Sequence, residues 1–141
     1  MFIQQISVFM GNEPGRLAEI LRFLAGQGID LRAYSVAETS DFGILRMIVR
    51  DTDATIAALR EAGFTAKKNR VLGLLVPDKP GSTVEAFQLL FDAGVNVEYT
   101  YAFAMAGAGS AFVLLRVGDN DKAAQLLTQA GVRLASHADI F

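Results

Sequence analysis

The chain has 141 residues, 52% hydrophobic and 20% charged, with a formal net charge of −2. That makes one ordinary domain or two very small ones, with enough apolar side chains to bury a sizeable core and too many to stay disordered. The slightly acidic balance argues against nucleic acid or an anionic membrane as main partner; the lack of cysteine excludes disulfides and thiol chemistry, and a single histidine, His137, excludes multi-histidine metal sites.

Apolar runs such as residues 71–76 and 111–115 are strand-length, far short of the roughly 20 residues of a spanning helix. No basic stretch opens the N-terminus, so the expectation is a cytoplasmic protein.

Residues 2–10 are β-branched, aromatic and apolar and predict a strand. Residues 11–15 form a turn with two glycines, and Leu17, Ile20, Leu21 and Leu24 then mark a helix that Gly26 and Gly28 end. Residues 29–38 predict a second strand, 39–43 a polar turn and 44–50 a third strand. Asp51 or Asp53 is placed to cap a helix carried by Ile56 and Leu59 and ended by Gly63. A short strand over 64–68 follows, and Lys67, Lys68, Asn69 and Arg70 predict a short solvated linker between docked units. The pattern then repeats. Residues 71–76 predict a strand, 77–81 a turn, and Val84, Phe87, Leu90 and Phe91 a helical stripe. Val95, Val97, Tyr99, Tyr101, Phe103 and Met105 alternate as a strand. Residues 111–117 predict a strand, 121–130 a helix and 132–136 a last short strand.

The repetition has a fixed spacing. Pro14 and Gly15 recur 66 residues later as Pro80 and Gly81, and Gly28-Ile29-Asp30 as Gly94-Val95-Asn96. Gly43/Gly109, Arg50/Arg116 and Asp53/Asp119 keep that offset, whereas Ala62-Gly63 and Ala130-Gly131 are 68 apart. The change predicts a two-residue insertion near residues 118–121. The fold class is therefore α+β, two tandem ferredoxin-like βαββαβ units with antiparallel sheets, over 1–68 and 69–141.

A strand, a loop ending Asn-x-Pro-Gly-x-Leu, and a helix ending Gly-x-Asp or Gly-x-Asn resembles the ACT domain. Here the residues are Asn12, Glu13, Pro14, Gly15, Arg16 and Leu17 with Gly28, Ile29 and Asp30, then Asp78, Lys79, Pro80, Gly81, Ser82 and Thr83 with Gly94, Val95 and Asn96. The resemblance spans nearly the whole chain as two ACT units with no catalytic domain. It implies a regulatory protein, not an enzyme, without a cofactor. Its ligand would be an amino acid held at an interface between ACT domains, and the signal would pass through domain orientation or oligomer state. The expected partners are that small molecule, a second copy in a homodimer and a regulated enzyme. The implied ligand-binding residues are Asn12 to Leu17, Ile29 and Asp30 in the first copy and Asp78 to Gly81, Val95 and Asn96 in the second. Asp78 and Thr83 depart from the loop's asparagine and leucine.

The chemistry of these residues suits the implied role. A loop running into a helix N-terminus offers unpaired N–H groups and the positive end of a dipole to a carboxylate. Asp30, Asn12, Asp78 and Asn96 are acceptors for an ammonium. Alternatively, Asn12 and Asp78 only cap helices, and the chain is a ligand-free interaction and dimerisation module working through its sheet edges. A small enzyme on the same fold is a third reading.

Other constellations carry less. Asp41-Phe42-Gly43 lacks every companion motif of a kinase and reads as a hairpin with an anchoring Phe42. Gly107-Ala108-Gly109 reads as the matching hairpin. Tyr99, Tyr101 and Phe103 lack the basic patch that nucleic-acid stacking needs, and read as core or interface packing. His137 and the scattered serines form no catalytic set.

Overall fold

The computed structural model describes residues 2–38 and 41–141. It forms two compact units, one Gln4–Asn69 and the other Arg70–Phe141 with residues 2–3. Each has the βαββαβ order.

In the first unit the elements are β1 (Ile3–Gly11), α1 (Arg16–Gly26), β2 (Ala33–Glu38), β3 (Phe42–Ile48), α2 (Thr52–Glu61) and the start of β4 (Thr65–Pro77). The strands lie in the order β2-β3-β1-β4. Ile6 stands opposite Met47 and Val8 opposite Leu45 in antiparallel register. These four share a core with Ile20 and Leu24 of α1 and Ile56 and Leu59 of α2. Each such buried side chain contributes about 1.5–3 kcal/mol relative to exposure.

The second unit has the rest of β4, α3 (Val84–Asp92), β5 (Val97–Ala104), β6 (Ser110–Val117), α4 (Asn120–Gln129) and β7 (Arg133–Leu134). Here β7 pairs with β4, β4 with β6 and β6 with β5. Leu72, Leu74 and Val76 alternate along β4 and meet Val113, Leu115 and Val117 of β6, beneath Leu90 of α3 and Leu127 of α4.

The four helices end alike. Gly28, Gly63, Gly94 and Gly131 all take positive φ. The next N–H reaches back five residues: Ile29 to Leu24, Phe64 to Leu59, Val95 to Leu90 and Val132 to Leu127, at 2.9–3.0 Å. This satisfies helix carbonyls that would otherwise lack a donor. A side chain with a Cβ is strained in that conformation, which is why the glycines recur at matched places.

Several expectations need correction. β4 is one strand of 13 residues, so residues 64–68 and 71–76 are not separate strands and residues 67–70 are no linker. Their side chains have partners: Asn69 accepts from the Ser7 hydroxyl at 2.9 Å, Lys68 pairs with Asp53, and Lys67 and Arg70 lie over the rings of Phe9 and Phe2. β2 begins only at Ala33 and β5 only at Val97, so residues 29–32 and Val95 and Asn96 are loop. Of the turn over 39–43, Thr39 and Ser40 lie outside the described residues, and Phe42 opens β3. Phe42 is exposed, not an anchor. The last strand is only Arg133–Leu134, followed by a short 3-10 helix, His137–Ile140. Val84 and Phe91 point outward, at 62% and 76% exposure, because α3 buries Ala86 and Leu90 instead.

The insertion is also misplaced. Val8 pairs with Leu45, while its counterpart Leu74 pairs with Val113, an offset of 68 already at the third strand of each unit. β2 and β5 still match at 66: Tyr34 faces Met47 and Thr100 faces Leu115. The two extra residues therefore sit in the β5–β6 hairpin. Asp119 is the counterpart of Asp51, both being N-caps, and the Gly43/Gly109 and Arg50/Arg116 matches are not structural ones.

Candidate ligand site

The first loop leaves β1 at Gly11 and enters α1 at Arg16. Its turn closes with the Arg16 N–H on the Glu13 carbonyl at 3.3 Å and the Glu19 N–H on the Gly15 carbonyl at 2.9 Å. The N-cap position is Gly15, with φ 88°. It has no side chain to satisfy the first-turn N–H groups of α1. The N-cap position is thus Gly15 and not Asn12, which lies three residues before it. In contrast α2 carries a side-chain cap: the Asp51 carboxylate accepts from the Ala54 N–H at 3.0 Å.

Arg16 is the cation of this corner. Its Nη1 donates to Glu19 Oε2 at 3.3 Å, and its Nε lies 3.7 Å from Glu13 Oε2. The arginine is half-exposed, 47% by side chain, so solvent screens both pairs and each contributes little to stability. Its guanidinium retains donors for a further anion.

Beside Arg16 opens a cavity of about 190 Å³. It is lined by the end of β1 (Phe9, Met10, Gly11), the first turns of α1 (Arg16, Glu19, Ile20) and the turn into β4 (Gly63, Phe64, Thr65). Met10, Ile20 and Phe64 belong to or pack on the core of this unit, and Phe64 is set by a tilted contact with Phe23 at 5.4 Å. The cavity thus has an apolar floor and an Arg–Glu pair on its wall.

Of the expected ligand residues, only Arg16 lines this cavity. Asn12, Glu13, Pro14 and Gly15 are exposed just ahead of it, and Leu17 is half-buried against the core. Ile29 and Asp30 follow the other end of α1, whose 11 residues span about 16 Å. No single unit brings them to the loop. The same holds in the second unit, where Asp78, Lys79, Pro80 and Gly81 precede α3 and Val95 and Asn96 follow it.

The second loop is held by hydrogen bonds, one of them to the turn between β5 and β6. Asp78 N–H donates to the Gly109 carbonyl at 3.1 Å, and Lys79 N–H to Pro77 at 2.9 Å. The Ser82 hydroxyl donates to the Lys79 carbonyl at 2.9 Å. The N-cap is Thr83, not Asp78, and its side chain makes no capping bond. α4 again has a side-chain cap, Asp119 accepting from the Lys122 N–H at 3.0 Å.

Sequence reasoning missed Phe9, Met10, Gly11, Glu19, Ile20, Gly63, Phe64 and Thr65. Glu19 carried a signal, since it recurs as Glu85. The others meet only through packing of the α2–β4 turn against the end of β1. Among the described residues no cluster of three or more acidic or histidine side chains is arranged to hold a metal ion. Nor is any helix among them long and apolar enough to cross a membrane.

A family model for an ACT domain pair matches residues 1–140. Among solved structures, protein BT0572 from Bacteroides thetaiotaomicron superposes with a TM-score of 0.90 at 36% identity, over 99% of this chain and 96% of that one. The regulatory subunit of aspartate kinase from Thermus thermophilus, in its ligand-free form, gives 0.57 at 20% identity, over 90% and 91% of the two chains. Its counterpart from Thermus flavus gives 0.60 at 16%, over 92% and 94%. At those identities the two kinase subunits share the fold alone. No curated protein matches the sequence.

Proposed function

The chain belongs to the ACT domain pair family, and from that premise we propose that it is a regulatory, non-catalytic protein that binds an amino acid. The cavity beside Arg16 is the observation that carries this reading. A free amino acid is a zwitterion. Its carboxylate suits Arg16 and the first-turn N–H groups of α1, where the helix dipole is positive. Its ammonium suits Glu19 or Glu13. The volume of 190 Å³ lies below the roughly 300–1,000 Å³ of drug-sized sites, which favours one small metabolite over a nucleotide. Binding needs no proton transfer.

Asp30 and Asn96 enter this reading from a second copy of the fold. Each lies at the far end of its own helix, so it reaches a loop only across a junction between ACT copies. A ligand held at such a junction favours one arrangement of copies by its differential affinity, and a partner reads that population. A homodimer in the cytoplasm and a regulated enzyme complete the proposal. A chain of similar length and fold, the Thermus thermophilus protein, is named as a regulatory subunit of aspartate kinase, which supports an enzyme as the partner's class. The exposed Val84 and Phe91 on α3 favour a second reading, an interaction module without ligand.

A thermal-shift screen against the twenty amino acids at about 10 mM separates the two. A dissociation constant near 100 μM adds about 2.7 kcal/mol, a rise of several degrees for a chain of this size. The expected result is a rise with one amino acid or a related few, reduced by Asn12→Ala and by Asp30→Ala. A folded sample that shifts with none of them overturns the sensor reading.

A further inference from the structure

We propose that the ligand is an amino acid with an uncharged, apolar side chain, bound once per chain in the cavity of the unit Gln4–Asn69. This rests on the amino-acid reading above and narrows it. Arg16 and Glu19 are the only charged residues lining the cavity, and they face each other at 3.3 Å. They match the two charges that every free amino acid carries at its α-carbon. No third charged side chain lines the cavity. The floor beyond them is Met10, Ile20 and Phe64, which pack on the core. A carboxylate or ammonium on the ligand side chain would be desolvated there without a partner, at high cost. An aliphatic or aromatic side chain would be removed from water at a gain.

The second unit keeps the acid, as Glu85, but not the other features. Ser82 stands where the first unit has Arg16, Pro77 where it has Gly11, Ala86 where it has Ile20 and Val132 where it has Phe64. The Ser82 hydroxyl is committed to the Lys79 carbonyl. α3 also starts late: the counterpart of Arg16 is residue 82, yet the helix begins at Val84. The helix N-terminus has withdrawn by two residues from the place where α1 presents it. Arg133 takes the position of Thr65, but on β7 and near the Asp139 carboxylate. The two copies therefore differ in cation, in helix start and in floor.

The test is calorimetric titration of the full chain with leucine, phenylalanine, aspartate and lysine, and with 4-methylpentanoate, which is leucine without its ammonium. The proposal expects leucine or phenylalanine to bind at one per chain, and at least about tenfold tighter than 4-methylpentanoate. Arg16→Gln, an exposed change that leaves the core intact, is expected to weaken that binding by at least about tenfold, and Ser82→Ala to leave it unchanged. Tighter binding of aspartate or lysine, two sites per chain, or binding that survives Arg16→Gln overturns this proposal while the amino-acid reading stands. Absence of binding by all four amino acids overturns it as well. In that case the twenty-compound screen decides the wider reading separately.

Discussion

Gly73→Ala tests how the second unit is packed. Gly73 lies in the middle of β4, opposite Leu114 of β6. Its neighbours Leu72 and Leu74 point to the helix-covered core, so its own side-chain position points the other way, against Ile3 and Leu114. Both are fully buried. An added Cβ would collide with Ile3 Cδ1, and would stand 3.3 Å from Ile3 Cγ1 and 3.5 Å from Leu114 Cδ2. The backbone has little freedom to retreat, because the Gly73 carbonyl accepts from Ala135 N–H at 2.8 Å. The Ile3 terminal methyl must move instead, inside a close-packed interior. Overpacking of this kind costs about 1–3 kcal/mol. Gly73 does not have positive φ, so alanine recovers about 0.4–1 kcal/mol by restricting the unfolded chain. The centres of these two ranges leave a net loss of about 1.3 kcal/mol, read from urea unfolding with an unchanged m-value. Ile3→Val removes the obstructing carbon and alone costs about 0.5–1.5 kcal/mol. With both changes the collision is gone, so the double variant should be no less stable than Ile3→Val, and the two effects should couple by at least about 1 kcal/mol. A Gly73→Ala protein as stable as the parent, or a double variant whose losses simply add, refutes the packing argument.

Three other outcomes are expected. Asp51→Ala and Asp119→Ala should each lose about 1 kcal/mol in urea unfolding by removing an N-cap, whereas Asp53→Ala, which removes an exposed first-turn acid and its pair with Lys68, should lose less. Phe91→Ser should change stability by less than about 0.5 kcal/mol, while the adjacent Leu90→Ala, in the core, loses about 2–5 kcal/mol; equal losses would mean that α3 faces the other way. Asp139 is held below its usual 3.8, first by the Ser136 N–H and then by the Ser136 hydroxyl. Its folded value is depressed, so its stabilising effect is complete above that ordinary value and lost as pH falls through the lowered one. Acid titration should show Asp139→Asn less stable than the parent near neutrality and converging on it below about pH 3.8; a gap that stays constant through that window contradicts the assignment.

The sequence showed the helix ends clearly. Each one needs a left-handed residue and a following apolar one, and Gly28-Ile29 and Gly94-Val95 supply both at matched spacing. It did not show where the two-residue insertion lies. Side chains in a strand alternate with period two, so a shift of two leaves every residue on its own face. Offsets of 66 and 68 predict the same burial for β6, and only the pairing of Val113 with Leu74 decides between them. The orientation of α3 was hidden for a different reason. This helix is apolar on several sides, and Val84 and Phe91 form a stripe of their own at i and i+7. Ala86, small and easily overlooked, marks the face that is buried. The loops expected to bind ligand were found at the starts of the correct helices, but the cavity was not. Its far wall, Gly63 to Thr65, lies about 50 residues along the chain from Arg16, and no local pattern links them.

The two copies divide into parts that agree and parts that do not. The helix-ending glycines, the caps Asp51 and Asp119, and the alternating cores of β1 and β4 occur at equivalent positions. These are the features any βαββαβ unit needs to close its helices and bury one sheet face. Besides the insertion in the β5–β6 hairpin and the changed turn into the last strand, differences fall on the first helix of each unit and the loop before it. Arg16 becomes Ser82, Gly11 becomes Pro77, and the exposed Ala18 and Ala25 become the exposed Val84 and Phe91. None of these changes is required by folding, since Val84 and Phe91 add apolar surface in water where alanine would suffice. A pair kept only as duplicate scaffolding would have no use for that surface. The physical economy is better served if the copies have separate tasks, the first offering a charged pair over an apolar floor and the second an apolar helix face.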